Sequence, residues 1–496
     1  MSRSSGILLP VFSLPSPWGI GDMGEGADRF LSFLVRTRQR TWQVLPVTAT
    51  DGGLGHSPYS APSAFAGNPL LICPELLPDA PLCDRAHAAG MASLSQDSVS
   101  YEAAFVLKDA LLREAFSRNA QRLGNELESF RKTHAAWIED YALFRAIRHT
   151  SGGLPWWKWP EPLRTRDSQA LENFRDARAD EIEFVVFEQW CFDEQWRHLK
   201  ERCRNAGVSI LGDLPIYVMG DSADVWSHPE LFDLDASLRP VRVAGVPPDY
   251  FSRDGQRWGN PVYAWERHEA TGFDWWISRL SRALSLYDRV RIDHFRGLVA
   301  FWGVPRDEKT ARNGSWFPVP TEVFFRRVRE VFPTMPFLAE NLGVITSDVT
   351  KTMNENALPG MLVLHFAFGD GIAANPYAPH NHTKANIVYT GTHDNNTTLG
   401  WFLSDSTPEE RRNLSEYVGR DVTHRTVCAD MVRLAMSSVA DECVIPLQDI
   451  LCLGADARMN TPSTRSGNWT WRFRSETLDA ADSAALARMT SLFGRE

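Results

Sequence analysis

The apolar positions of the chain switch repeatedly between two periods. Within residues 26–39, Ala27, Phe30, Leu31 and Leu34 recur at the i, i+3, i+4, i+7 spacing of one helical face. The segment that follows, Trp42-Gln43-Val44-Leu45-Pro46, is a short apolar run stopped by a proline, which reads as a strand. The same order recurs along the chain. A helix over 182–204 leads into a strand at 208–213, one over 273–288 into 289–293, and one over 321–331 into 337–340. Further short strands read at 361–364, 387–390 and 443–447, and an eighth is expected at 69–72.

Helices alternating with short apolar strands make βα units and a parallel sheet. Eight such units close a barrel, so the expected fold class is α/β, a (β/α)8 TIM barrel with helical insertions in its loops. A doubly wound open sheet is the alternative. It wants a glycine-rich phosphate turn after its first strand, and this chain has none. The whole chain, residues 1–496, is expected to be one catalytic barrel. Three stretches exceed a minimal barrel: 84–180, helical and charged; 236–262, with little periodicity; and 404–440, helical again. The last opens on Thr407-Pro408-Glu409-Glu410, which reads as an N-cap, a proline at N1 and a glutamate at N3. A loop as long as 236–262 in a compact domain is usually functional, and it is read as a lid.

Composition narrows the class. With 43% hydrophobic and 23% charged residues the chain is globular. Its 52 basic and 62 acidic side chains leave a net charge of −10, a poor match for nucleic acid or an anionic membrane. No run of 18 apolar residues occurs, and the N-terminal segment lacks an apolar signal region. The seven cysteines, at 73, 83, 191, 203, 428, 443 and 452, form no C-x-x-C pair and match no zinc spacing. Buried reduced thiols and a cytoplasmic setting are therefore expected. Tryptophans (18) outnumber tyrosines (10), and an indole offers a flat apolar face with an N–H for a hydroxyl, the surface on which a sugar ring stacks.

Chemistry enters with the acids. Asp213, Asp293, Glu340, Asp394 and Asp449 each lie at or just beyond the end of an expected strand. In a barrel the C-terminal strand ends meet at one face. A single acid there is readily a helix N-cap; five in succession point to a site. Such a set suits a hard metal ion, or glycoside chemistry with one ionised and one protonated carboxyl. Arg291 lies on the same strand face as Asp293. Its guanidinium favours the ionised form of Asp293, which suits a nucleophile, and opposes a divalent metal. His380 and His382 in PHNH are too weak a pattern to imply a metal. Neither a metal nor a cofactor is expected.

Ten stretches then fall in order between about residues 5 and 473: SGILLPVFSLPSPWGIGDMG, TWQVLPV, SPYSAPSAFAGNP, ILGDLPIYV, GVPPDYFSRDGQRWGNPVY, RIDHFRG, FLAENLG, LPGM, TGTHDNN and RMNTPSTRSGNWTWR. In this register the chain resembles the 4-α-glucanotransferases known as amylomaltases or disproportionating enzymes, glycoside hydrolase family 77. Within 84–180 only WIEDYALF carries the resemblance. The resemblance implies a retaining barrel related to the α-amylases. It moves α-1,4-glucan segments between maltooligosaccharides, or from starch- or glycogen-derived glucans, with no nucleic-acid or membrane partner. It implies Asp293 as nucleophile, Glu340 as acid and then base, and Asp394 as the third carboxylate, which holds sugar hydroxyls. Substrate contacts would come from Tyr59, Asp213, Asp249, Tyr250, Phe251, Trp258, Arg291, His294, His393 and Asn460. Asn396, Ser463, Ser60 and His365 depart from the family pattern, and none of them removes a catalytic carboxylate. An amylase-type hydrolase shares the same carboxylates and remains an alternative, as does an inactive glucan-binding protein.

Overall fold

Parallel strands covered by helices on the outside and by one another within need apolar residues at successive positions. The computed structural model describes residues 3–78, 94–248, 252–464 and 466–496. Its strands are β1 (Ser4–Leu8), β2 (Thr41–Gln43), β3 (Ser209–Leu214), β4 (Arg242–Val246), β5 (Gln256–Pro261), β6 (Arg289–Ile292), β7 (Ala300–Pro305), β8 (Ser315–Pro318), β9 (Phe337–Ala339), β10 (Gly360–Val363), β11 (Asn386–Tyr389) and β12 (Glu442–Pro446). Eight of them pair in parallel in the order β10-β11-β12-β1-β2-β3-β6-β9. The ends of that row meet. The Ala339 N–H donates to the Pro359 carbonyl at 2.9 Å, and the Met361 N–H to Asn341 Oδ1 at 2.7 Å. The sheet thus closes into the expected (β/α)8 barrel.

The eighth strand is not where the sequence placed it. Pro69–Leu71 forms a 3-10 turn: Asn68 Oδ1 accepts the Leu70 N–H, and the proline has no N–H to give to a ladder. The closing strand is β1, which pairs with β12 on one side and β2 on the other, with Ile7 opposite Ile445 and Trp42.

The helices cover the barrel with the faces their spacing marks. Glu25–Arg36 buries Ala27, Phe30, Leu31 and Leu34. Ala179–Asn205 contains the whole of the expected 182–204 helix, and Thr321–Val331 turns Phe324, Phe325 and Val328 inward. Gly212 in β3 is a glycine because the Tyr287 ring lies against it: a Cβ there would stand 2.0 Å from the ring. The 84–180 stretch, between β2 and β3, holds the helices Tyr101–Asn119, Gly124–Thr133, Ile138–Thr150 and Ser168–Ala177. The 404–440 stretch holds Pro408–Val418 and Val427–Ser437. Thr407 and Glu410 make a reciprocal capping box at its start, with Pro408 at N1.

The 236–262 segment differs from the aperiodic loop expected of it. It contains β4 and β5, which join β7 and β8 in a four-stranded antiparallel sheet of order β5-β4-β7-β8. A register shift between Val243 and Gly245, and the exposed face of β5, blur its period-2 pattern. This sheet grows from the segments that follow β3 and β6, so it starts beside the ends of both strands. The thiol expectation is also corrected at one pair: Cys428 and Cys452 form a disulfide, with Cα atoms 5.6 Å apart. Sequence separation of 24 residues hides that proximity, which the fold creates. Cys73, Cys191, Cys203 and Cys443 are free and buried, and Cys83 lies outside the described residues. Among the described residues no helix is long and apolar enough to cross a membrane.

Candidate active site

Register builds the centre of the site. Asp213 in β3 lies directly opposite Arg291 in β6, so both side chains turn to the barrel axis. Arg291 is 3% exposed and donates from Nη1 to Asp213 Oδ2 at 2.6 Å and from Nη2 to Asp293 Oδ1 at 2.9 Å. One guanidinium therefore holds two carboxyls of neighbouring strands in a fixed fork. Tyr59 completes the group. Its hydroxyl donates to Asp213 Oδ2 at 2.7 Å and lies 2.8 Å from His393 Nε2, and the Tyr59 and His393 rings stack at 5.3 Å. Burial, opposed by Arg291, raises the Asp213 carboxyl above its ordinary range. Asp293 sits at the rim, with its side chain 28% exposed.

Glu340 follows from the same ladder. Arg291 pairs with Leu338 and Ile292 with Ala339; one step beyond the strands sets Asp293 beside Glu340. The step is hydrogen-bonded: the Glu340 N–H donates to the Ile292 carbonyl at 3.1 Å, and the Phe295 N–H to the Glu340 carbonyl at 3.2 Å. The Glu340 carboxyl accepts the His294 N–H at Oε2 (2.8 Å) and the Leu342 N–H at Oε1 (2.7 Å). His294 can present its N–H this way because its backbone is left-handed, with φ 49°. Burial is the largest influence on Glu340, and Asp293 adds to it. Arg291 and the two N–H donors oppose them, and the carboxyl is still pushed up to about 7. The two neighbouring carboxyls are thus separated in character, one salt-bridged to Arg291 and one half-buried on backbone N–H groups and raised to about 7.

Asp394 reaches the site from a loop after β11. Asn395 shapes that loop: its Oδ1 accepts from both the backbone N–H and the hydroxyl of Thr392. The Asp394 side chain is 44% exposed, with Oδ1 accepting from Asn460 Nδ2 at 2.6 Å and Oδ2 3.3 Å from His393 Nε2.

Trp258 lies on β5, 36% exposed, with its ring edge-on to His294 at 4.8 Å and tilted to Tyr217 at 6.1 Å. His294 Nε2 is buried with no hydrogen-bond partner, and burial lowers the ring to about 4, so it is neutral. The fold therefore gathers Tyr59, Asp213, Arg291, Asp293, Glu340, His393, Asp394 and Asn460 around one mouth, with His294 beside Glu340 and Trp258 against His294. Asp249, Tyr250 and Phe251 lie outside the described residues.

The fifth acid plays a different part. Asp449 is buried and accepts the Thr390 hydroxyl and the Thr398 N–H, fastening the loop after β11 to the turn after β12. His382 bonds Ser438 and the Tyr377 carbonyl while His380 meets Tyr417, so PHNH is a structural turn. Arg458 was not singled out from the sequence. It donates to the Asp394 and Asn460 carbonyls, and nothing within a single sequence distinguishes it from the other arginines. His365 and Asn396, two departures from the family pattern, are accommodated. His365 is buried, stacked on Trp401 at 5.1 Å and bonded to the Thr398 hydroxyl, and Asn396 donates to Asp405.

Comparison with known proteins identifies the family of the whole chain. The family model described as 4-alpha-glucanotransferase matches residues 9–478. The 4-alpha-glucanotransferase of Thermus thermophilus is 46% identical over a 500-residue alignment that covers 99% of this chain and 98% of the relative. That of Aquifex aeolicus is 43% identical over 494 residues, covering 100% of both. Among solved structures, the amylomaltase from Streptococcus agalactiae in complex with acarbose matches with a TM-score of 0.94 at 36% identity, over 99% of each chain. Likeness of this extent, in sequence and in the path of the whole backbone, establishes that the chain belongs to the 4-alpha-glucanotransferase family.

Proposed function

We propose that Asp293 is the nucleophile, Glu340 the general acid and then base, and Asp394 the carboxylate that holds the sugar hydroxyls of the reacting ring. The reaction they serve is that of a 4-α-glucanotransferase: the enzyme moves an α-1,4-glucan segment to the 4-hydroxyl of another glucan, or of glucose, by retaining double displacement. Asp293 attacks the anomeric carbon while Glu340 gives its proton to the leaving oxygen, and a β-glucosyl ester forms. The 4-hydroxyl of the acceptor then loses its proton to Glu340 and displaces Asp293, which restores an α-1,4 bond.

The observation that carries these assignments is the contrast between the two neighbouring carboxyls. Asp293 is held by the Arg291 guanidinium, whereas Glu340 accepts two backbone N–H groups and is pushed up to about 7, chiefly by desolvation. Ester formation removes the Asp293 charge and lowers the affinity of Glu340 for its proton, so the acid of the first step becomes the base of the second. Tyr59, Asp213, Arg291 and His393 line the donor side, and Asn460 orients Asp394. Trp258 covers the acceptor side, and the resemblance adds Asp249, Tyr250 and Phe251 as substrate contacts. An aromatic there both stacks on the incoming sugar and keeps water from the ester. The substrates are maltooligosaccharides and α-glucans derived from starch or glycogen, a reading supported by the complex of the Streptococcus agalactiae amylomaltase with acarbose. We place the reaction in the cytoplasm: among the described residues four cysteines are free and buried, and the Cys428–Cys452 disulfide is the one departure from a reduced set.

The test is product analysis on maltotriose. Chains redistribute into glucose and longer oligosaccharides while reducing ends stay nearly constant, since each transfer breaks one bond and makes one. Reducing ends that rise in step with substrate loss would instead identify a hydrolase. Asp293→Asn abolishes turnover; retention of more than about 1% of activity, a loss under roughly 2.7 kcal/mol, would reject Asp293 as nucleophile.

A further inference from the structure

Of the three acids, Asp394 is the one that no strand positions. It stands five residues beyond the end of β11, and its side chain, 44% exposed, is more open than that of Asp293 at 28%. Its carboxylate takes its direction from Asn460, which belongs to a different loop, the one after β12 and the turn Ala455–Ala457. Something has to keep the two loops in step, and one side chain touches both. Arg458 donates from Nη2 to the Asp394 carbonyl at 2.9 Å and from Nε to the Asn460 carbonyl at 2.7 Å. The same guanidinium fixes the backbone that carries the carboxylate and the backbone that carries its orienting amide.

Arg458 is itself oriented. Its Nη1 lies 3.9 Å from Asp405 Oδ2, and that oxygen also accepts from Asn396 Nδ2 at 3.2 Å, two residues past Asp394. Asp405 ends a π-helical turn, Trp401–Asp405, closed by the Ser406 N–H on the Trp401 carbonyl at 2.8 Å. Such turns carry one residue more than an α-turn and are frequent at functional sites. Here the turn delivers Asp405 to the outer side of the guanidinium.

We propose that Arg458 is a positioning residue for the third carboxylate: it locks the Asp394 loop to the Asn460 loop, with Asp405 as its anchor, and acts on the reaction only through Asp394. The proposal rests on the reading of Asp394 given above. A planar fork with fixed donor directions meets two carbonyls at once, which a lysine ammonium on a flexible stem does not reproduce. Misplacement of a catalytic group by about 1 Å can cost on the order of a hundredfold. An effect through ring-hydroxyl contacts is felt with any leaving group, whereas an effect through the acid is relieved when departure needs no proton.

The experiment compares wild type, Arg458→Met, Arg458→Lys, Asn460→Ala and the Arg458→Met/Asn460→Ala double variant. The substrates are maltotriose and α-maltosyl fluoride, and thermal midpoints are measured alongside. Arg458→Met is expected to lower kcat by roughly ten- to a hundredfold on both substrates with KM changed less than about threefold. Arg458→Lys, which keeps the charge beside Asp405, is expected to lose roughly three- to tenfold and to keep the wild-type midpoint, so that a folding defect in the Met variant leaves the question answerable. The double variant is expected to be no worse than the poorer single variant, because both changes release the same carboxylate. Multiplying losses in the double variant, a loss confined to maltotriose, or wild-type kcat in Arg458→Lys would each overturn the proposal. Asp394→Asn separates the underlying reading. If it retains wild-type turnover, Asp394 is not the third carboxylate, whatever the Arg458 variants do.

Discussion

The raised Glu340 carboxyl links catalysis to stability, and the substitution Glu340→Gln exposes the link. Burial moves Glu340 from 4.5 to about 7, and at 1.36 kcal/mol per pH unit the ionised form costs the folded state about 3 kcal/mol. The sign follows from the direction of the rise. The folded state binds the proton more tightly than the unfolded chain does, so the stabilisation is complete below pH 4.5 and is lost as pH rises through about 7. Glutamine does not titrate. It does lose one of the two acceptor contacts, since its amide faces either the His294 or the Leu342 N–H, a penalty of about 1–3 kcal/mol that is constant in pH. The informative quantity is therefore the change of the wild-type-minus-variant difference with pH. Part of the effect is already spent at pH 5, and about 2.5 kcal/mol remains to be lost by pH 8.5. At roughly 2.1 cal/mol/K per residue the unfolding entropy of a chain this long is about 1 kcal/mol/K, so the gap between thermal midpoints should move by about 2–3 °C. Calorimetry of both proteins at pH 5 and pH 8.5 measures it. The glutamine variant gains on wild type as pH rises, and the wild-type kcat/KM on maltotriose falls above about pH 7. Midpoints that run parallel within about 0.5 °C over this range would show that Glu340 titrates normally, and the acid assignment would lose its physical basis.

Two other expectations test the rim. Tyr59→Phe removes the hydroxyl that joins Asp213 to His393, leaving a buried carboxylate short of one donor. A loss of about 1–3 kcal/mol, roughly ten- to a hundredfold in kcat/KM, is expected, and kinetics within twofold of wild type would exclude this contact from the donor side. Trp258→Ala removes an exposed platform beside His294. Transfer should fall roughly tenfold or more while hydrolysis suffers less, so free reducing ends rise relative to chain redistribution; an unchanged ratio means water is excluded elsewhere.

Features set by neighbours within a few residues were legible in the chain itself. The helical face of Ala27, Phe30, Leu31 and Leu34, the capping box of Thr407 and Glu410, and the shared strand face of Arg291 and Asp293 depend on helical and strand periods alone, and the structure contains each of them. Ten ordered motifs carried the family as well. Tertiary structure decided the rest, because it depends on which distant segment arrives opposite. Ile7 becomes a barrel residue only through Ile445 and Trp42, and β4 becomes a strand between β5 and β7, the latter some sixty residues on. Cys428 meets Cys452 through the packing of a helix against a turn. Arg291 reaches Asp213 across 78 residues, and Tyr59 reaches His393 across 334. Arg458 gains its meaning only 64 residues from Asp394, where its fork meets two carbonyls. Periodicity tells a side chain which way to face; the partner it then meets is chosen by barrel closure and by burial, which leaves a buried guanidinium or carboxyl no alternative to being hydrogen-bonded.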